Sequence, residues 1–380
     1  MIYLDNAATS WPKAPNLASA CVASITEPMG NIGRSAHMAA IHASHTLYSF
    51  RKSVQSILSP TETECIICTS GATESLNVAL FGAINPGDTV LTTPAEHNAV
   101  ARPLEVLQQR GVRILTAVAD CFGRVDIDEF EKIIKEKRPT VAVFAAANNV
   151  TGAINPVEAM LNTCCRYEIP FVIDAAQAVG ETDLPKFPKH ARGALCFSLH
   201  KGLLGMAGVG IMALYGSYRP RPLQYGGTGS NSDSTFQPEI LPDVYESGTL
   251  PIQAIAANTA AIGYYIGEHE AISLHKQEMS NLLWDYLSCQ EGLRMLSPKD
   301  NRVGIVSVTV EDGTIRELSQ KLFAADIAVR SGFHCAPTTH HHIGTFRQGG
   351  AIRCSVGFMT TKAEIEQTAA HVAEALWQLR

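Results

Sequence analysis

Reactive side chains in this 380-residue sequence gather where apolar runs end. The run ALCFSL (194–199) is followed at once by His200, Lys201 and the glycine-rich stretch GLLGMAGVG. A lysine at the end of a buried strand, beside a histidine, is poorly solvated and can lose its proton, as imine formation requires. Most lysines lie on solvated faces, but the apolar residues before Lys201 and the glycines after it place this one inside. The run FVIDAA (171–176) carries Asp174 among apolar neighbours, where an ionised carboxylate is costly without a partner. That partner is either a hydrogen-bonding group of the fold or a cationic atom of a ligand. Thr69-Ser70-Gly71-Ala72-Thr73-Glu74 stands directly before the helical stretch SLNVALFGA. Small residues and hydroxyls at a helix start offer free N–H groups and the helix dipole to an anion such as phosphate. The same residues also serve as an ordinary N-cap.

Positioning these groups requires a sheet. ECIICTS (64–70), TVLTTP (89–94), RILTAVA (113–119), TVAVFAAA (140–147), FVIDAA and ALCFSL read as strands, apolar throughout, as strands covered on both faces are. Helical stretches at Thr73–Ala83, Asn98–Arg110, Ile127–Lys137 and Pro156–Tyr167 alternate with them, the pattern of a mostly parallel sheet in an α/β fold. In such sheets ligands bind beyond the carboxyl ends of the strands, where Lys201, Asp174 and Thr73 fall. After Gly248 the texture changes to a long helical region (251–288), a strand GIVSVTV (304–310), a helix near 314–325, strands at Ile327–Arg330 and Ala351–Ser355, and a last helix from Thr361. This predicts a second, smaller α+β domain beginning near residue 250.

Composition narrows the function. A net charge of −6, without clustered Lys and Arg, excludes a nucleic-acid or acidic-membrane footprint. No run of eighteen apolar residues is present, and MIYLDNAATSWPK lacks the basic and apolar regions of a signal peptide, so a cytoplasmic location is expected. There the ten cysteines stay reduced, and nearly all are expected to be small buried hydrophobes.

Seven segments together carry a resemblance: YLDNAAT (3–9), SGATES (70–75), EHNA (96–99), DAAQAVG (174–180), SLHKGLLG (198–205), ESGT (246–249) and RSGFHCAP (330–337). In this order they resemble the class V aminotransferase family, in its cysteine desulfurase and selenocysteine lyase branch, over nearly the whole chain. The resemblance implies a large domain (15–250) on a seven-stranded-type, mostly parallel sheet, and a small domain made of 1–14 and 251–380. It implies pyridoxal 5′-phosphate as cofactor, bound as a Schiff base on Lys201. Asp174 would sit against the pyridine nitrogen, Gln177 on the ring oxygen and His97 over the ring face. Asn149 would lie near cofactor and substrate, and Ala72, Thr73, Ser198 and His200 would hold the phosphate. Thr249 would complete the phosphate site of a neighbouring subunit, making the enzyme a homodimer with shared sites. Arg353 would clamp the carboxylate of the amino-acid substrate, with Arg330 close by.

Cys335, in RSGFHCAP, lies in a predicted loop beside Gly332 and His334. It is expected to be exposed, mobile and near positive charge (Arg330, and His334 when protonated), which favours the thiolate. The family's persulfide-carrying cysteine falls here, within an R-x-G-x-H-C loop. Cys354, next to Arg353 in a strand, reads as packing. His340-His341-His342 suggests a metal, but consecutive histidines on an extended segment face opposite ways and no zinc-type spacing surrounds them. A solvated loop at the pocket mouth, with no metal, is expected. The implied activity is desulfuration of L-cysteine to L-alanine with sulfur left on Cys335 for an acceptor protein. Selenocysteine lyase is the alternative. A true aminotransferase has no need of that cysteine, and a non-catalytic PLP-binding protein would not be expected to keep Lys201, Cys335 and Arg353.

Overall fold

The computed structural model describes residues 1–33, 37–58, 61–311 and 315–378. The chain opens with a short strand, β1 (Ile2–Tyr3), and two helices, α1 (Leu17–Thr26) and α2 (Met38–Ser56). Strands and helices then alternate: β2 (Ile66–Thr69), α3 (Ala72–Ala83), β3 (Thr89–Thr92), α4 (Asn98–Gln109), β4 (Arg113–Thr116), α5 (Ile127–Lys137), β5 (Val141–Ala145), α6 (Val157–Arg166), β6 (Phe171–Asp174), β7 (Gly193–Ser198) and β8 (Gly210–Tyr215). The seven strands from β2 to β8 form one sheet in the order β2-β8-β7-β6-β5-β3-β4, with β8 antiparallel to both its neighbours and the remaining pairs parallel.

Successive residues of the central strands feed opposite cores. Val143, Val172 and Met212 pack into one apolar cluster, and Phe144, Ile173 and Ile211 into the other. This double burial is why the strands read as unbroken apolar runs, and each such side chain contributes about 1.5–3 kcal/mol. α4 shows the complementary helical pattern, burying Val100, Leu104 and Leu107 along one stripe.

After β8 comes α7 (Ile252–Ser288), followed by β9 (Leu293–Met295), β10 (Ile305–Val310), α8 (Ile315–Ala324), β11 (Ile327–Ala328), β12 (Arg330–Gly332), α9 (Pro337–His342), β13 (Ala351–Ser355) and α10 (Lys362–Trp377). A four-stranded sheet, β12-β13-β10-β9, packs with α7, α8 and α10 around Leu283, Val306, Ile352 and Ile365. β1 joins this end of the chain by pairing in parallel with β11. Thr361 starts α10 with a capping box to Glu364.

Several expectations change. The glycine-rich stretch after Lys201 leads into β8, because Gly208 ends the turn and GIMALY, starting at Gly210, is apolar enough to be buried between β2 and β7. The single strand expected at 327–330 divides into β11 and β12, which join different sheets. α1 and α2 have only weak periodicity and were not foreseen. Residue 314, where the helix near 314–325 was to begin, lies outside the described residues.

Candidate active site

Parallel strands bring their carboxyl ends to one edge, and the polar residues that follow meet there. α3 starts directly after β2, His97 caps α4 after β3, Asn149 follows β5, Asp174 ends β6 and Lys201 follows β7. β12, the Cys335 loop and β13 close over this edge. The result is a cavity of about 260 Å³ lined by Ala72, Thr73, His97, Asn149, Asp174, Gln177, Ser198, His200, Lys201, Arg330, Cys335 and Arg353, with His334 and several alanines between them. Of the residues expected to bind cofactor or substrate or to act in catalysis, only Thr249 is absent from this lining; it is exposed on its own chain.

The phosphate-type end lies where α3 begins, beside Ser198 and His200. The Ala72 N–H, in the first turn of α3, donates to Ser198 Oγ at 2.8 Å, which leaves the Ser198 hydroxyl hydrogen for another acceptor. Gly71 and Gly210 cross so closely that a Cβ on Gly210 would lie 2.4 Å from the Gly71 backbone. His200 is held by Thr9 Oγ1 at 3.0 Å, and burial lowers its pKa to about 4, so the ring is neutral. Such a donor set, with no carboxylate in it, suits a phosphate. Burial also lowers Lys201 to about 8, against the pull of the Asp174 carboxylate. Asp174 accepts one hydrogen bond, from the Ala176 N–H to Oδ1 at 2.9 Å, and no donor to Oδ2 occurs among the described residues. An anionic oxygen left to face the cavity fits a protonated ring nitrogen. The donors, the amine and the carboxylate together fit pyridoxal 5′-phosphate.

His97 serves two purposes. Its Nδ1 accepts the Ala99 N–H at 3.0 Å as the cap of α4, while its ring lines the cavity with a pKa lowered by burial. Gln177 donates to the Ala7 carbonyl at 2.9 Å, tying the N-terminal segment to the site. Arg353 is almost wholly buried; its Nη2 pairs with Asp5 at 2.9 Å and its Nη1 donates to the Asn149 carbonyl at 2.9 Å. A two-pronged grip on a substrate carboxylate therefore has the second hydrogen of each Nη and the unpartnered Nε–H to use. Asp5 was missed as a site residue, because a partner 348 positions away in sequence leaves no local signal.

The cysteines separate by position. Five are buried, fewer than expected, and three are exposed: Cys121, Cys289 and Cys335. Exposure alone does not mark Cys335; its place on the cavity wall does. Its Sγ lies 3.8 Å from Nη2 of Arg330. Cys354 is buried in β13 with its pKa raised to about 12 by burial, as packing requires.

Three expectations about this segment are corrected. His334 is no cation, since burial lowers its pKa to about 3. The loop is also tied down at successive residues: the Cys335 carbonyl accepts the Asn98 N–H at 2.7 Å, and the His334 carbonyl accepts Asn149 Nδ2 at 2.8 Å. These bonds offset a left-handed backbone at both His334 (φ 50°) and Cys335 (φ 54°), which costs on the order of 1–3 kcal/mol per residue. The three histidines lie in α9 and its last turn, with His340 fully buried, rather than in a solvated extended loop. Pro337 at the first position of α9 sets the helical course that turns His340 inward.

The model of the class V aminotransferases, described as "Aminotransferase class-V", matches residues 2–368. The chain belongs to this family. Among class V relatives, a probable cysteine desulfurase of Methanothermobacter thermautotrophicus is 28% identical over 96% of this chain and 92% of its own length. Another, from Halalkalibacterium halodurans, is 31% identical over 88% of this chain and 84% of its own. The apo structure of a cysteine desulfurase from Thermococcus onnurineus superposes with a TM-score of 0.90 at 26% identity, covering 99% of this chain and 95% of the other. No helix among the described residues is long and apolar enough to cross a membrane.

Proposed function

We propose that this class V protein is a pyridoxal-phosphate-dependent cysteine desulfurase that converts L-cysteine to L-alanine and keeps the sulfur on Cys335. The observation carrying this conclusion is an exposed thiol on the wall of the cavity that holds Lys201, Asp174 and His97. Amino-group transfer has no use for a nucleophile there, whereas removal of sulfur needs one. Relatives and structural neighbours named as cysteine desulfurases support the same choice.

The chain's own residues divide the work. Ala72, Thr73, Ser198 and His200 would hold the cofactor phosphate, Asp174 its ring nitrogen, Gln177 its ring oxygen, and His97 and Asn149 its face and edge. The bound cofactor supplies an electron sink beside the substrate Cα. Arg353 and Arg330 hold the substrate carboxylate. Lys201, whose pKa burial lowers to about 8, sheds its proton more readily than a solvated lysine and takes the Cα proton. The Cys335 thiolate then attacks the substrate sulfur. A sulfur–sulfur bond forms, the carbon–sulfur bond breaks with its electron pair going to carbon, and the carbon skeleton takes up protons to become alanine. The persulfide on Cys335 passes to an acceptor thiol. Thr249, exposed on its own chain, would complete the phosphate site of a second subunit, so the active unit is a homodimer. The division near residue 250, with 1–14 joining the small domain, fits the pairing of β1 with β11. Ten free thiols suit a cytoplasmic location.

Product analysis with L-cysteine and L-selenocysteine tests this function. Alanine and, with an added thiol reductant, sulfide are expected from cysteine. Cys335→Ala should lose that activity yet retain turnover of selenocysteine, whose selenol is ionised at neutral pH and whose carbon–selenium bond is weaker. Alanine from selenocysteine alone would make the protein a lyase. A keto acid without alanine would make it an aminotransferase.

A further inference from the structure

The three-histidine motif acquires a purpose when its hydrogen bonds are given a direction. His334 Nε2 lies 3.2 Å from the Arg330 carbonyl, which can only accept, so Nε2 carries the proton. A neutral His334 ring then has Nδ1 as an acceptor, and the group facing it is His340 Nε2, at 3.5 Å. As the donor to His334, that nitrogen carries the one proton of the neutral His340 ring, which also donates to the Phe333 carbonyl. His340 Nδ1 is left to accept from the Thr345 hydroxyl at 2.6 Å. The chain runs one way, from Thr345 through His340 and His334 to Arg330, and fixes the tautomer of both rings. Burial keeps both rings neutral, with pKa values near 3 and 4. The rings stack at 5.6 Å and 26°, and the edge of Phe333 meets His340 at 5.5 Å and 76°. Both imidazoles are nearly inaccessible to solvent.

This buried chain lies directly behind the reactive thiol. His334 precedes Cys335, both have left-handed backbone, and Arg330 at the far end contacts Sγ at 3.8 Å. Without a donor from His340, His334 Nδ1 would be an unsatisfied buried acceptor and the ring would lose its fixed orientation. We propose that His340, oriented by Thr345, is a positioning residue for Cys335, holding the loop through His334 so that the thiol stays over the cavity. His340 touches neither the cavity nor the thiol; it acts through its neighbour.

The test uses the full-length holoenzyme and three variants. His340→Phe keeps a ring of similar shape without a donor. His340→Gln keeps an N–H near the position of Nε2, and Thr345→Val removes only the hydroxyl that orients His340. Amide hydrogen exchange at Asn98, whose N–H donates to the Cys335 carbonyl, reads the loop without reference to catalysis. Exchange there should quicken at least tenfold in His340→Phe and in Thr345→Val, and stay within about threefold of the wild type in His340→Gln. Because the kinetic part rests on the desulfurase function proposed above, it is read separately. The kcat for L-cysteine should fall at least tenfold in His340→Phe with KM nearly constant, and His340→Gln should restore most of it. Wild-type exchange at Asn98 and wild-type kcat in both His340→Phe and Thr345→Val would overturn the inference. So would a kcat loss that His340→Gln fails to rescue. Should His340→Phe not fold, Thr345→Val alone decides between these outcomes. A wild-type enzyme that forms no alanine would count against the proposed function and leave the exchange result to decide the role of His340.

Discussion

Asp5→Asn tests how the small sheet is fastened to the site. Arg353 is almost wholly buried and Asp5 about a quarter exposed, and their contact at 2.9 Å is the sole ion pair of Arg353 among the described residues. Removing one partner of a fully buried pair typically costs 3–5 kcal/mol, because a buried charge is left uncompensated. Two features reduce that figure: Asp5 is partly solvated, and asparagine keeps an oxygen to accept from Nη2. We expect a loss of about 2–3 kcal/mol. At about 2.1 cal/mol/K for each of 380 residues, unfolding carries about 0.8 kcal/mol/K, so the Tm should fall by about 3 °C. Calorimetry of the apoprotein at constant protein concentration measures this, with Arg353→Gln and the double variant completing a cycle. Each single variant should cost more than it does in the presence of the other, with a coupling above about 1 kcal/mol. Coupling below about 0.3 kcal/mol would mean that the Asn149 carbonyl alone holds the guanidinium and that Asp5 is dispensable.

Glu96 is buried with Oε2 unpartnered, and burial raises its pKa to about 8. The unfolded carboxyl ionises near 4.5 and the folded one only near 8, so this group lowers stability as pH rises between those values. Glu96→Gln should therefore be more stabilising at pH 8 than at pH 5 by about 3 kcal/mol, as read from denaturant midpoints at the two pH values; equal effects at both would contradict a protonated Glu96. Gly210→Ala should cost about 1–3 kcal/mol and weaken cofactor binding, because its Cβ would meet the Gly71 backbone where α3 begins; unchanged affinity in equilibrium dialysis would disprove that tight crossing. Mixing Lys201→Ala with Thr249→Ala subunits should restore part of the wild-type activity in heterodimers, and a fully active monomer would rule out the shared site.

Much of this architecture is written locally. Strands buried on both faces demand apolar runs, and the groups that break those runs, Asp174 and Lys201, stand at their ends beside the cavity. Asn98–Gln109 and Ile127–Lys137 carry helical periodicity strong enough to set their bounds closely. What local pattern could not reveal depends on contacts between distant segments. Asp5 meets Arg353 only after β1 has crossed to β11, and the His334 ring is neutral only because other elements bury it. His340 points inward because Pro337 begins a helix that a run of three histidines does not advertise. β8 was hidden behind glycines that look like a loop and in fact end one.

The most direct trial follows the sulfur atom. The holoenzyme is incubated with isotopically labelled L-cysteine under non-reducing conditions, then digested and weighed peptide by peptide. One labelled sulfur atom should appear on the peptide containing Cys335, in step with alanine, and be missing from Lys201→Ala and Cys335→Ser. Label on Cys121 or Cys289 instead, or alanine formed by Cys335→Ser at the wild-type rate, would contradict a persulfide at Cys335.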